Sequence, residues 1–254
     1  MDTQVLIALL LILFIIYLLQ DEELGKQPIL EPRGRLCDYY APGSVFEDIE
    51  KALARGVRLL EVHVYSDEQD HPVVGLDPSD YMSRNISFEQ VCVQLVNDAF
   101  PSKDPFILSI VAHTDKTVVL NRVAEHLQTI LRRHLFKTER DISEAPIDVL
   151  ANKLILVSGG TVMGTDLEKL LNLSWSTQTF RRLAYHEVLH PRDESDLVAF
   201  NKDHITLVAP DVELKRLSAH PERPKALGCQ WNLWDRNSGG FELRPPFTNP
   251  FLRV

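Results

Sequence analysis

The chain has 254 residues, of which 44% are hydrophobic and 25% are charged, and these proportions are those of an ordinary globular protein. Its formal net charge of -9 argues against a nucleic-acid-binding protein, because such proteins need a basic face to offset phosphate charge. The three cysteines show no zinc spacing and do not suggest a disulfide framework, so a reducing compartment fits better.

The first predicted element is an apolar run without a charged residue, residues 5–19. As a helix it is roughly 22 Å long, and flanking polar residues with some bilayer thinning close most of the gap to the ~30 Å hydrocarbon core. A cleaved signal peptide is the rival interpretation, but no basic residue precedes the run and no small-residue cleavage pattern follows it. We therefore predict a transmembrane anchor over residues 1–20, in contact with membrane lipid, and a polar tether over 21–33. Basic residues occur only after the anchor, which places the globular part of this single-pass membrane protein in the cytoplasm.

Helical and strand patterns alternate after the tether. Helical patterns cover residues 45–56, 87–100, 116–136 and 166–173, with Ser87 as an N-cap and Gly56 as a C-terminal cap. Strand patterns cover residues 57–64, 72–76, 105–113, 152–160, 204–210 and 228–234, whereas Arg181 and Arg182 look like a solvated helix face. This alternation predicts a parallel α/β fold, and the absence of a dinucleotide-binding glycine motif favours a (β/α)8 barrel of the TIM type over a dinucleotide-binding sheet.

The strand over residues 57–64 carries two chemically active side chains. Because side chains alternate along a strand, Leu59, Glu61 and His63 share one face. On the strand over residues 105–113, Val111 and His113 share a face in the same way. We predict that Glu61, His63 and His113 lie at the mouth of the barrel.

Five stretches resemble, in chain order, the X and Y regions of phosphoinositide-specific phospholipase C: residues 52–75, 86–131, 150–160, 200–210 and 227–247. The resemblance implies a distorted (β/α)8 barrel over residues 34–254, with an X-like part over 34–160 and a Y-like part over 175–248. It also implies a phosphoric diester hydrolase that uses two catalytic histidines and a calcium ion held by an asparagine and several carboxylates. A weaker likeness links residues 72–78 to glycerophosphodiester phosphodiesterases, which share the barrel.

Most residues that the resemblance assigns to catalysis are replaced in this chain. No histidine or asparagine occurs over residues 34–40, and Leu76 stands where the second histidine is expected. Glu61 is kept as a metal-ligand remnant, but His63 and Val111 stand where further carboxylates are expected, and residues 157–160 lack the phosphate-binding lysines. Calcium needs six to eight oxygen ligands, so we expect no calcium and no other cofactor. The chain is then predicted to be a pseudoenzyme that binds a phosphoinositide or a protein partner.

The opposing hypothesis is an active phosphodiesterase with a rearranged site, acting on a phospholipid or a glycerophosphodiester. Glu61, His63 and His113 would be its catalytic groups, or the ligands of a zinc-like His/His/carboxylate site. Convergence of the three side chains within a few Å favours this hypothesis. A filled or apolar mouth favours a binding or structural role.

Overall fold

A sheet of parallel strands organises the part of the chain that the computed structural model describes. The described residues are 34–45, 49–75, 85–137, 141–211, 222–233 and 242–243, and they belong to the unit Pro32–Val254. Their strands are β1 Tyr39–Val45, β2 Leu59–Ser66, β3 Pro72–Val74, β4 Ile86–Ser87, β5 Phe106–Ala112, β6 Leu154–Ser158, β7 Leu173–Ser174, β8 Phe180–Ala184, β9 Ile205–Ala209, β10 Trp231–Asn232 and β11 Glu242–Leu243.

The parallel strands follow one another in the sheet in chain order, except that the first of them, β1, lies next to β10, the last of them. The sheet runs β7-β6-β5-β2-β1-β10-β9-β8, and each neighbouring pair on this path is parallel. β1 therefore pairs with β10 near the other end of the chain, while β3 and β4 form an antiparallel extension of β2 and β11 pairs antiparallel with β1. β7 and β8 approach each other, but no ladder among the described residues joins them. The α/β architecture is confirmed, and closure into a barrel is not established.

Helices follow several of the strands. They are α1 Ile49–Ala54, α2 Phe88–Asp98, α3 Thr117–Ile130, α4 Tyr185–Leu189, α5 Glu194–Phe200 and α6 Glu222–Ala226. The capping prediction for α2 is confirmed: the hydroxyl of Ser87 accepts the backbone N–H of Gln90, and the Gln90 side chain accepts the backbone N–H of Ser87. Gly56 follows α1 with φ of 79°, which a glycine adopts at little cost.

Two cores lie on opposite faces of the sheet because side chains alternate along each strand. Leu60, Val62 and Val64 of β2 belong to the core that also contains the buried residues of α2 and α3. Leu59 belongs to the other core, with buried residues from β5, β6, β8, β9 and β10. Glu61 therefore lies on the second side, as the alternation predicts.

Several predicted boundaries are wrong. Val45 ends strand β1 rather than beginning a helix, and α1 is described only from Ile49. The long helix ends at Ile130, and the predicted helix over 166–173 is a 3-10 turn, Glu168–Leu170, followed by β7. Arg181 and Arg182 lie in strand β8, not on a helix.

No helix in the described ranges is long and apolar enough to span a bilayer. This finding overturns the prediction of a single-pass membrane protein with a cytoplasmic globular part. The predicted lipid contact through an N-terminal helix stays a prediction. The run over residues 5–19, on which that prediction rested, lies outside the described residues, as do the segments 1–20 and 21–33.

Candidate functional site

A carboxylate lies buried within β2. Glu61 is 3% exposed, and it pairs in register with Val45 of β1 and Ser109 of β5. The hydroxyl of Ser109 donates a hydrogen bond to Oε2 of Glu61 at 2.9 Å. Burying a charged carboxylate costs free energy unless it is paired and hydrogen-bonded. The other neighbours of Glu61 therefore determine whether it stays ionised.

Arg182 supplies the opposite charge. From β8 it donates Nε to Oε2 of Glu61 at 3.0 Å and Nη2 to Oε1 at 2.7 Å, which is the two-point contact that guanidinium and carboxylate groups favour. The side chain of Glu61 is 1% exposed and that of Arg182 is 25% exposed. Trp175 lies beside Arg182, whose guanidinium carbon is 5.5 Å from the ring centroid. The prediction that Arg182 belongs to a solvated helix face is therefore wrong.

The surroundings shift the pKa of Glu61. Burial acts to raise this pKa, but the neighbouring His63 and Arg182 side chains outweigh burial, so that the pKa lies below the ordinary value of a glutamic acid. Glu61 is thus held as a carboxylate at neutral pH, with its charge balanced by the guanidinium of Arg182.

The two predicted histidines meet next to this ion pair. Nδ1 of His63 lies 2.8 Å from Nε2 of His113, and Nε2 of His63 lies 3.6 Å from Oε1 of Glu61. The ring of His113 also stacks on Tyr65, with 4.4 Å between centroids. His113 is exposed, so the contacts lead from solvent through both imidazoles to the buried carboxylate. Glu61, His63 and His113 thus converge within a few Å, which is the arrangement that favours the opposing hypothesis of an active phosphodiesterase.

These residues do not fit a metal ion. Among the described residues, no group of three or more His, Cys, Asp and Glu could hold one. His63 and His113 direct a nitrogen at each other, and both oxygens of Glu61 face Arg182. A calcium site needs several carboxylate oxygens, whereas a guanidinium already occupies the carboxylate here. The site therefore supports neither a calcium site nor a His/His/carboxylate metal set.

Among the described residues, the other positions that the resemblance assigns to catalysis add no acidic ligand. In the first stretch, Leu36 and Cys37 are fully buried. Val111 lies in register with His63, while Leu76 and Asp77 fall outside the described residues. After β6, Gly159 lies so close to Trp175 that an added Cβ would be 2.1 Å from the indole nitrogen.

Sequence reasoning missed a second histidine pair beyond β8 and β9. Nδ1 of His186 lies 2.6 Å from Oδ1 of Asp211, and the backbone N–H of His186 donates to Oδ2 at 3.1 Å. The hydrogen bond that the His186 ring donates to the carboxylate of Asp211 raises the pKa of His186. The sequence contains a signal for this pair. His186 comes two positions after the end of β8 and Asp211 two positions after the end of β9, and parallel neighbours place such side chains together at the same edge of the sheet.

Residues 40–158 match the family model for phosphatidylinositol-specific phospholipase C, X domain. No curated protein has a significant sequence match to the chain. The structure of S. officinalis PLC21 is similar with a TM-score of 0.72 at 14% identity, covering 88% of this chain and 39% of that chain. L. pealei PLC21 gives a TM-score of 0.66 at 15% identity, covering 80% of this chain and 34% of that chain.

A calcium-dependent phosphoinositol-specific phospholipase C from Pseudomonas sp. gives a TM-score of 0.62 at 11% identity, covering 85% of this chain and 97% of that chain. The present chain spans about two fifths of the first of these relatives and about one third of the second. At such identities the structural likeness shows a shared α/β fold. Together with the match to the X domain, it confirms the resemblance found in the sequence.

Proposed function

We propose that this chain is a catalytically degenerate member of the phospholipase C-like phosphodiesterase superfamily, which binds a phosphate-bearing headgroup without calcium-dependent hydrolysis. The observation that carries the proposal is the two-point contact between Arg182 and the buried Glu61. The resemblance assigns Glu61 to calcium, and in this chain a side-chain cation balances the same carboxylate.

The ion pair also joins the two parts of the sequence that resemble the X and Y regions. Glu61 comes from the X-like part, residues 34–160, and Arg182 from the Y-like part, residues 175–248. We propose that these parts form one distorted (β/α)8 barrel with a seam between β7 and β8. The pairing of β1 with β10 supports this arrangement, because it joins the first and last parallel strands of the chain.

Arg182 can contact a ligand without leaving Glu61. Its Nε and Nη2 donate to Glu61, whereas Nη1 takes no part in that contact, and the side chain is 25% exposed. A guanidinium binds phosphate oxygens well. His113 is exposed next to the pair and can donate a further hydrogen bond. The mouth thus offers donors for one phosphate group, without the metal that a calcium-dependent reaction requires.

The test is a binding titration of the purified full chain with glycerophosphoinositol in the presence of a calcium chelator. We expect binding, and we expect Arg182→Gln to weaken it by about tenfold, since a charge-assisted hydrogen bond contributes about 1.5–3 kcal/mol. Arg181→Gln is the matched control, because Arg181 is the adjacent strand residue and pairs with Asp196 instead. Vesicles with and without phosphatidylinositol, run in parallel, distinguish a lipid headgroup from the free compound. Absence of binding, or equal weakening by both variants, contradicts the proposal.

One observation favours a second candidate function, an active phosphodiesterase with a rearranged site. His63 and His113 are within hydrogen-bond distance, and His63 adjoins Glu61, so a proton could pass between solvent and the buried carboxylate. Turnover of phosphatidylinositol or of a glycerophosphodiester that disappears in the His63→Ala, His113→Ala double variant supports this candidate. The degenerate-site proposal expects background turnover before and after these substitutions.

A further inference from the structure

A separate cavity lies beyond the carboxyl ends of β6 and β7. Its volume is about 320 Å³, which is at the lower end of the usual range for small-molecule sites. Gly159 and Ser174 line it, and Trp175 packs against Gly159 on the side that leads to Arg182. The cavity is thus a neighbour of the Glu61–Arg182 pair and has walls of its own.

Most of the cavity wall is apolar. Leu171 lines it in front of Val162 and Leu173, which are 0% and 4% exposed, and Met163 stands at the opening with 67% of its surface exposed. Asn172 also lines the cavity, but its amide is used within the fold: its oxygen accepts the N–H of Leu156 at 2.8 Å, and its nitrogen donates to the carbonyl of Phe136 at 2.8 Å. Burial of aliphatic groups is therefore the main contribution that this wall can make to binding.

Hydroxyl groups provide polar contacts at the same cavity. Ser174 and Ser176 both line it, and the hydroxyl of Ser174 accepts the backbone N–H of Ser176 at 3.2 Å. A serine hydroxyl that accepts in this way keeps its own proton for donation. It can therefore donate to an acceptor oxygen of a ligand.

The charge of the lining excludes anions. No described residue that lines the cavity is a lysine, arginine or histidine, and the charged group present is Glu168. Its carboxylate accepts the backbone N–H of Gly164 at 2.6 Å. A phosphate or carboxylate placed here would be desolvated near a like charge and would have no cation to balance it.

We propose that this cavity binds an uncharged aliphatic ligand that carries one acceptor oxygen, such as a hydroxyl, ether or ester. The aliphatic part lies against Leu171 and Met163, and the oxygen accepts a hydrogen bond from Ser174 or Ser176. This site goes beyond the proposed headgroup function, because it takes a different chemical class at a different place.

The test is a binding titration of the purified full chain with 1-hexanol, 1-octanol, octanoate and octyl phosphate at neutral pH. Each buried methylene contributes about fourfold in affinity, so 1-octanol should bind roughly 15-fold more tightly than 1-hexanol. Octanoate and octyl phosphate have the same chain with a charged end, and we expect each to bind at least about tenfold more weakly than 1-octanol.

Two substitutions locate the binding. Met163→Glu places a charge at the opening and should weaken 1-octanol binding by about tenfold or more. Val149→Glu is the matched control, because Val149 is another exposed apolar residue, half exposed, in the 3-10 turn Ile147–Leu150 and outside the cavity lining. Ser174→Ala should weaken 1-octanol binding by about fivefold, because it removes one hydrogen bond.

Equal affinities of the two alcohols, tighter binding of octyl phosphate, or equal effects of Met163→Glu and Val149→Glu each overturn this proposal. Glycerophosphoinositol is titrated separately from the alcohols. If it does not bind, the alcohol titrations still test this cavity, and if the alcohols do not bind, the glycerophosphoinositol titration still tests the headgroup proposal.

Discussion

Replacing Arg182 with methionine removes the cation from a buried carboxylate and leaves a side chain of similar length. Glu61, whose side chain is 1% exposed, then keeps the hydroxyl of Ser109 and the neighbouring His63. Removing one partner of a buried ion pair typically costs 3–5 kcal/mol, because the other charge stays buried without compensation. Since two neighbours remain, we expect the free energy of unfolding to fall by about 3 kcal/mol, the lower end of that range.

Substitution of the other partner, Glu61, should lower the free energy of unfolding by a smaller amount. In Glu61→Gln the charge left behind belongs to Arg182, which is 25% exposed and can be hydrated. We therefore expect a loss of about 1–2 kcal/mol, typical of a lost polar contact. The double variant Arg182→Met, Glu61→Gln should be more stable than Arg182→Met alone, because it contains no unbalanced buried charge.

The pH dependence follows from the direction of the pKa shift of Glu61. In the native chain this pKa is lowered, so the pair contributes stability above the ordinary glutamic acid pKa of about 4.3, and that stability is lost as the pH falls through the folded value. In Arg182→Met, burial remains while the guanidinium is gone, so the pKa of Glu61 should rise. As the pH falls from 7 to 5, protonation of Glu61 then removes the unbalanced buried charge of the variant. The difference in the free energy of unfolding between the variant and the native chain should therefore become smaller.

The assay is urea unfolding of the full chain at pH 7 and pH 5, followed by tryptophan fluorescence. Arg181→Met is the matched control, since its guanidinium pairs with an exposed aspartate, Asp196, and such pairs contribute little. If Arg182→Met lowers the free energy of unfolding by no more than Arg181→Met does, Arg182 does not balance a buried charge. The same conclusion follows if Arg182→Met lowers it by equal amounts at both pH values.

Three further predictions concern other parts of the fold. Asp211→Asn should lower the pKa of His186, as measured by NMR titration, because the carboxylate raises it; an unchanged titration contradicts the pairing. With Asp211 present, the stability from this pair should hold below about pH 6.5 and decline as the pH rises through the higher folded pKa. Ser87→Ala should lower the free energy of unfolding by about 1 kcal/mol through loss of the α2 cap, whereas Ser87→Thr should retain most of it. Gly159→Ala should displace Trp175, since the new Cβ would lie 2.1 Å from its indole nitrogen, and an unchanged tryptophan emission spectrum would count against that packing.

The alternation of side chains along a strand was sufficient to predict half of the candidate site. It placed Glu61 and His63 on one face of β2 and His113 on the matching face near β5, and the structure brings these three together. This inference succeeds because a strand fixes the direction of each side chain locally. Whether these residues perform chemistry stays a hypothesis.

Arg182 could not be predicted in the same way. Its strand, Phe180–Ala184, contains two adjacent arginines, and such a pair is typical of an exposed surface. The partner that makes burial acceptable, Glu61, is 121 residues away in the chain. A local pattern carries no information about such a contact, because β8 lies four positions from β2 in the order of the sheet and only the folded sheet brings the two side chains together.

Strand β1 was missed for a related reason. It contains Pro42 and Gly43, which are both depleted in strands, and Val45 also fits the start of the helical pattern that follows. The position of Gly43 explains its presence, because an added Cβ would lie 2.8 Å from the carbonyl oxygen of Asn232 and from the side chain of Leu59. Close approach of neighbouring strands therefore requires glycine here, and that requirement arises only in the folded sheet.

Replacement of calcium by Arg182 is tested by the release of inositol phosphate from phosphatidylinositol bisphosphate by the purified full chain, with a calcium chelator and with millimolar calcium. We predict background release in both conditions, because the guanidinium of Arg182 occupies the carboxylate of Glu61 and the described residues form no calcium site. Calcium-dependent release that is abolished by Glu61→Ala would contradict it.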